Sequence, residues 1–284
     1  MRDAIEQFRD SIQAAGLTPP DAIIDDGKLR RFASNGKRGD DAGWYVFHAN
    51  GIAAGCFGDW RTGIAETWRA DIGRTLTASE ETAHRAKVDA MRKQREADEA
   101  AGHATAAADA AARWKDARPA AADHPYLKRK GVKPHGTRVG RDGWLLVPMR
   151  DASGKLWNLE RIAPAKSDDG GNEKKGLFRG RRTGCYYSIG GVGGAAALCI
   201  VEGAATAASV HEATGYPVAA AFNAGNLLAV AKALRDKFPD LPLILCADDD
   251  AATPGNPGLT KAREAARVVG GEHEDIGQRQ CQAQ

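Results

Sequence analysis

Glu202, Asp248 and Asp250 are the residues whose type and spacing best fit chemistry. The first closes the apolar run Leu198-Cys199-Ile200-Val201-Glu202-Gly203, and the others close Leu243-Ile244-Leu245-Cys246-Ala247-Asp248-Asp249-Asp250. An apolar run of this length bounded by turn residues is a buried strand, so the acids fall at strand carboxyl ends. In an open α/β sheet the ligand crevice lies outside those ends, and two neighbouring strands would deliver all three acids to one place. Carboxylates about 4 Å apart repel by roughly 4 kcal/mol per pair at an effective dielectric near 20. A divalent cation relieves the conflict. Oxygen donors suit Mg²⁺, with Mn²⁺ as a substitute, and such ions bring substrate phosphates with them. The chemistry implied is in-line phosphoryl displacement without a side-chain nucleophile. A solvated acidic turn is the plain alternative, and the apolar strands in front of the acids argue against it.

The elements around these acids read as βαβαβα. After the strand ending at Val201 comes a helix through Thr206 to Ala213, then a strand from Pro217 to Phe222. A helix follows from Leu227 to Phe238 with Leu227, Val230, Ala231 and Leu234 on one face, then the acid-bearing strand, then a helix from Thr260 to Val269 that carries Lys261. Such alternation predicts a parallel, Rossmann-like sheet covered by helices.

Charge is divided unevenly along the 284 residues. The net +3 hides a basic block, residues 119 to 190, with fifteen Lys/Arg against seven Asp/Glu. Residues 191 to 284 are acidic, with seven against eleven. A basic block beside an acidic, metal-seeking one fits an enzyme that polymerises or cleaves a polyanion. Within the block, Trp144 to Met149 and Leu156 to Ile162 predict strands. Lys174-Lys175-Gly176-Leu177-Phe178-Arg179-Gly180-Arg181-Arg182 interleaves cations with glycine and one aromatic, a loop able to follow a phosphate backbone.

Farther upstream, Thr77-Ala78-Ser79-Glu80 opens a helix with a capping box. The Ala-, Glu-, Lys- and Arg-rich stretch after it predicts a long helix with a weak buried face, a semi-rigid spacer. Ile5, Phe8 and Ile12 mark a first helix. Trp44 to His48 and Ile52 to Phe57, flanking Ala49-Asn50-Gly51, predict a hairpin in a small β-rich module. Its aromatics are expected to be mostly core, although unpaired bases also stack on such rings.

The cysteines at 56, 185, 199, 246 and 281 form no CxxC pair, so neither a zinc ribbon nor a disulfide framework is expected. No run of eighteen apolar residues and no signal-peptide core occur, which leads to the expectation of a cytoplasmic protein without a membrane partner.

Glu202-Gly203 after one hydrophobic strand, with Asp248-x-Asp250 after another, resembles the Toprim domain of topoisomerases and DnaG-type primases, whose Glu and DxD motif bind Mg²⁺. Val201-Glu202-Gly203-Ala204-Ala205-Thr206-Ala207-Ala208 is similar to Toprim primases of phages, plasmids and integrative elements. So are Gly154 to Ile162, Lys174 to Gly180, and Phe57-Gly58-Asp59-Trp60-Arg61-Thr62-Gly63. The resemblance implies a DNA primase that makes short RNA primers on single-stranded DNA from ribonucleoside triphosphates. Glu202, Asp248 and Asp250 would hold the metal and be catalytic. Arg161, Lys174, Lys175, Arg179, Arg181 and Lys261 would contact template and triphosphate phosphates. No GxxxxGK[ST] loop occurs, so a replicative helicase would act in trans. The expected organisation is a β-rich module without zinc ligands over 1–75, a helical spacer over 76–118, a basic α+β subdomain over 119–192 and the α/β Toprim domain over 193–284. A Toprim nuclease and a non-catalytic single-strand-binding protein are the alternatives; a topoisomerase using Tyr186 or Tyr187 fits less well.

Overall fold

In the computed structural model, residues 3–165, 173–248, 256–270 and 272–276 are described. The chain divides into two compact units, residues 1–97 and 98–284, with the boundary inside one long helix. The first unit opens with α1 (Ala4–Ala14), which buries Phe8 and Ile12 completely. Their four-residue spacing puts both on one face. Four antiparallel strands follow in the order β1 (Arg30–Phe32), β2 (Gly43–His48), β3 (Ala54–Asp59) and β4 (Ile64–Arg69). Phe8 packs against Phe47, Phe57 and Trp68 at ring-centroid distances of 5.1, 5.7 and 5.0 Å. The three phenylalanine rings are fully buried, each contributing about 2 to 3 kcal/mol, and Trp68 is half-buried at their edge. The β2–β3 ladder closes at His48 and Ala54, so the connection spans residues 49–53 and is wider than the expected Ala49-Asn50-Gly51.

α2 (Ala78–Asp116) begins with the predicted box: Glu80 N–H donates to Thr77 Oγ1 (3.2 Å) and Thr77 N–H to Glu80 Oε2 (2.9 Å). Its carboxyl end corrects the spacer expectation. Ala106, Ala107 and Ala110 are buried, and Ala110 packs with Leu146 and Leu159 of the second unit's first sheet. Small residues let the helix lie close, which a search for large apolar residues overlooks. Ala110→Leu is therefore expected to destabilise the protein by about 1 to 3 kcal/mol through overpacking, read from urea unfolding; a solvated spacer would be indifferent.

That first sheet is antiparallel: β5 (Arg118–Pro119), β6 (Arg138–Val139), β7 (Leu145–Arg150), β8 (Leu156–Ile162) and β9 (Lys174–Gly176), with α3 (Pro125–Lys130) between β5 and β6. β6 pairs only with Leu145 and Leu146, leaving that side of β7 open where Pro148 sits, a position that tolerates a missing donor. Arg150 and Tyr186 then exchange backbone hydrogen bonds of 3.0 and 2.8 Å, joining β7 to the segment before the second sheet.

The second sheet runs β10 (Tyr187–Ile189), β12 (Val218–Ala220), β11 (Leu198–Val201), β13 (Leu243–Asp248), β14 (Glu272–Ile276), with only β10 antiparallel. α4 (Ala204–Thr214) covers one face, and α5 (Leu227–Lys237) and α6 (Pro257–Val269) the other. Coverage on both sides explains the uninterrupted apolar strands, every residue of β11 being buried. One core cluster runs from Leu145, Val147 and Ile162 of the first sheet to Cys199, Val201 and Ala220 of the second. No helix among the described residues is long and apolar enough to cross a membrane.

Candidate metal centre and basic face

The register of the parallel pair β11 and β13 decides where the acids fall. Cys199 lies opposite Ile244 and Ile200 opposite Leu245. Glu202 is two residues beyond the last pair and Asp248 three, so both emerge at the same edge, on strands about 4.8 Å apart. Asp250 lies outside the described residues, as does the side chain of Asp248. Among the described residues no cluster of three His, Cys, Asp or Glu is assembled. Glu202 is half-buried, and its carbonyl accepts the Phe222 N–H at 2.7 Å, while Ala221 N–H donates to Val201 O at 2.9 Å. These bonds bind the end of β11 to the end of β12. Phe222 holds φ at 71°, a left-handed conformation that costs a non-glycine residue energy and is concentrated at functional sites. α4 starts at Ala204, with Gly203 as its N-cap next to Glu202, so the positive end of its dipole lies at the same edge. Oxygen donors on adjacent strand ends fit a hard divalent cation.

Asn226 stabilises this edge from below and was not expected from its position before α5. Its amide nitrogen, with two hydrogens to give, lies within hydrogen-bond distance of the carbonyls of Ala221 (2.8 Å), Cys185 (3.0 Å) and Arg182 (3.1 Å), and its Oδ1 accepts Gly184 N–H (2.8 Å). One buried side chain thus links the end of β12 to the basic loop.

The basic residues gather on β8, β9 and the loop after them. Arg161 pairs in register with Lys175 across β8 and β9. Its guanidinium lies 4.7 Å from the Trp144 ring centroid and donates to Asp142 at 2.7 Å; Lys175 Nζ lies 6.0 Å from the same ring. Arg181 lies 4.9 Å from the Trp157 ring centroid, and Lys155 Nζ lies 3.7 Å from the same centroid. Trp157 is held by its indole N–H donating to Asp151 at 2.6 Å. The tryptophans therefore serve as plates that orient cations. Phe178, in the same loop, is 91 % exposed. The other two cations expected to contact phosphates also have protein partners. The Arg179 guanidinium donates to the Asp98 carbonyl and lies over Gly102, where any Cβ would clash with it. Lys261 on α6 pairs with Glu264 at 2.9 Å. Tyr187 is buried and donates its hydroxyl to His135 O at 2.8 Å, with burial raising its pKa, so it acts in packing and not as a nucleophile.

Glu160 is the buried acid of this face, and only the structure reveals its burial. Desolvation raises its carboxyl above the ordinary 4.5, opposed in part by Lys174 and then Arg182. A carboxyl with a raised folded pKa supports the fold in its protonated form. That contribution is complete below the unfolded pKa and is lost as pH rises through the folded value. Glu160→Gln should accordingly raise the thermal midpoint, with a gain that is larger at pH 8 than at pH 5, measured by calorimetry at both.

Residues 197–276 match the Toprim_3 family, a Toprim domain. The chain is 37 % identical over 280 residues to an Escherichia coli DNA primase TraC, covering 94 % of this chain and 26 % of that protein. To a second E. coli DNA primase TraC it is 36 % identical over 282 residues, covering 94 % and 19 %. A solved DNA primase domain from Pseudomonas aeruginosa is similar at 18 % identity over 50 % of this chain and 46 % of that one, with a TM-score of 0.35. The chain spans about a quarter or less of the TraC proteins it matches. Residues 197–276, which run from β11 to β14, thus match a Toprim domain, and nearly the whole chain is similar in sequence to one section of the DNA primases TraC.

Proposed function

We propose that this chain is the primer-synthesising part of a mobile-element DNA primase, joining ribonucleoside triphosphates into short RNA primers on single-stranded DNA. The observation that supports it most is the emergence of Glu202 and Asp248 at one edge of adjacent parallel strands, in the same unit as a face of ring-stacked cations. In this reading Glu202, Asp248 and Asp250 hold Mg²⁺, or Mn²⁺ in its place. When bound, the ion supplies charge neutralisation to the reacting phosphates. Arg161, Lys174, Lys175 and Arg181 contact template or triphosphate oxygens, with Trp144 and Trp157 fixing the planes of Arg161 and Arg181. Phe178 offers an open ring to an unpaired base. Arg179 anchors the loop to α2. A helicase acting in trans would expose the template.

The test is synthesis of labelled oligomers on single-stranded DNA with Mg²⁺ or Mn²⁺, comparing wild type with Asp248→Ala. Product from wild type alone supports the proposal, and no product from wild type removes it. The same carboxylates serve a nuclease when water replaces the primer hydroxyl. Metal-dependent cleavage without nucleoside triphosphates would identify that reaction.

A further inference from the structure

The segment Phe57-Gly58-Asp59-Trp60-Arg61-Thr62-Gly63 plays no part in the chemistry above, yet the first unit is built around it. Asp59, buried at the end of β3, accepts the N–H groups of Arg61 and Thr62 at 2.7 Å each and the Thr62 hydroxyl at 3.2 Å. It also accepts the hydroxyl of Ser34, from the loop that joins β1 to β2. Asp40 in that loop receives the Arg61 guanidinium, Asn35 N–H at 3.1 Å and Ala42 N–H at 3.3 Å, and lies 3.1 Å from the Ser34 hydroxyl oxygen. Burial alone would raise the pKa of Asp40; the bonds from Asn35 and Arg61 outweigh it and hold the carboxyl at about 2. Two carboxylates therefore lock two loops into one rigid corner.

That corner displays Trp60. Its backbone N–H donates to Ala42 O at 3.0 Å, while the residue is 61 % exposed. The ring leans on Trp44 with centroids 5.5 Å apart, and Arg31 lies 5.7 Å from its centroid. Gly58 is required beneath them, because a Cβ there would meet the Trp44 ring and the Ile64 carbonyl. Residues 25 to 41 carry five Lys/Arg against four acids; Asp26 is paired with Arg30 and Asp40 with Arg61, while Arg31, whose guanidinium donates to Asp41 O at 2.9 Å, Lys37 and Arg38 are exposed. The core of this unit is closed by other aromatics and makes no use of the Trp60 ring, which is held in water by the hydrogen-bonded corner. An open indole beside clustered cations matches the requirements of single-stranded nucleic acid: a flat partner for a base and positive charge for the phosphates on either side.

We propose that Trp60, with Arg31, Lys37 and Arg38, forms a single-stranded DNA site in the first unit, Trp60 stacking on an unpaired base and the cations contacting adjacent phosphates. The site needs neither metal nor triphosphate and does not depend on the activity proposed for the second unit.

The full chain is cross-linked under ultraviolet light to oligothymidine carrying one 5-iododeoxyuridine, and the joined peptide is identified by mass spectrometry. Polarisation titrations of the same oligomer accompany it for wild type, Trp60→Ala and the double variant Lys37→Ala/Arg38→Ala. A cross-link at Trp60 is expected. Trp60→Ala should weaken single-strand binding about five- to hundredfold, the loss of one base–ring stack, and leave duplex binding unchanged. The double variant should reduce the slope of log affinity against log salt by about 1.4. Because Trp60 is exposed, its replacement should preserve the thermal midpoint; if it does not, the double variant and the cross-link carry the test. Absence of any cross-link in residues 28–63 with wild-type affinity in both variants overturns the proposal, as does an equal loss for single strand and duplex. All arms omit metal and triphosphate, so a chain that makes no primers can still give the cross-link. A chain that makes primers and gives none loses this site alone.

Discussion

Glu202→Gln is expected to reduce primer synthesis by about a thousandfold or more, the scale of losing several kcal/mol of charge stabilisation at the reacting phosphates. Glutamine preserves the size of the side chain and the backbone bonds that β11 makes to β12 through Val201, Glu202, Ala221 and Phe222, so folding should be retained. What changes is one formal negative charge at the edge where Asp248 also emerges. Single-strand affinity should stay level or rise slightly, because removing an acid near a polyanion relieves repulsion. The pairing of lost synthesis with retained binding separates this role from general damage. Labelled-primer assays and polarisation titrations on the same preparation provide the check, and a matching loss of both would point to misfolding.

The largest stability effect is expected at Asn226. Asn226→Ala removes partners from the carbonyls of Ala221, Cys185 and Arg182 and from the N–H of Gly184 in one step. A buried polar group left unsatisfied costs about 1 to 3 kcal/mol, and with partial relaxation the total loss should be about 3 to 5 kcal/mol. Urea unfolding followed by circular dichroism measures it. A loss below about 1 kcal/mol, the ordinary net value of a single hydrogen bond, would show that water replaces the amide easily. Asn226→Asp is a sharper probe, since it retains the acceptor for Gly184 but places a charge against three carbonyl oxygens.

The Toprim sheet was legible because its signals are local. An apolar run ending in acid marks a covered strand and a crevice at once, and β11 and β13 lie where those runs predict. The capping box at Thr77 and Glu80, and the Phe8 and Ile12 face of α1, are equally short-range. Long-range partners left no such trace. Asn226 bonds to carbonyls 41 and 44 residues away, a relation that no periodicity encodes. Glu160 sits among alternating polar and apolar residues and reads as a surface charge, yet it is buried in the folded protein. Arg179 and Lys175 look alike in a basic loop, yet one guanidinium is directed to α2 while the lysine lies near Trp144. The burial of α2 on Ala110 was hidden for a related reason: alanine at a close contact looks the same as alanine in a solvated helix. Asp250 lies outside the described residues, so its part in the cluster rests on sequence alone.

Manganese titration of the full chain, followed by the loss of the free-ion electron paramagnetic resonance signal, tests most directly whether the acids at these strand ends chelate a cation. Wild type should take up Mn²⁺ without DNA or nucleotide, and both Glu202→Gln and Asp248→Ala should abolish that uptake while leaving the thermal transition in place. Mn²⁺ binding of wild-type strength in both variants would contradict the convergence of these carboxylates on one ion.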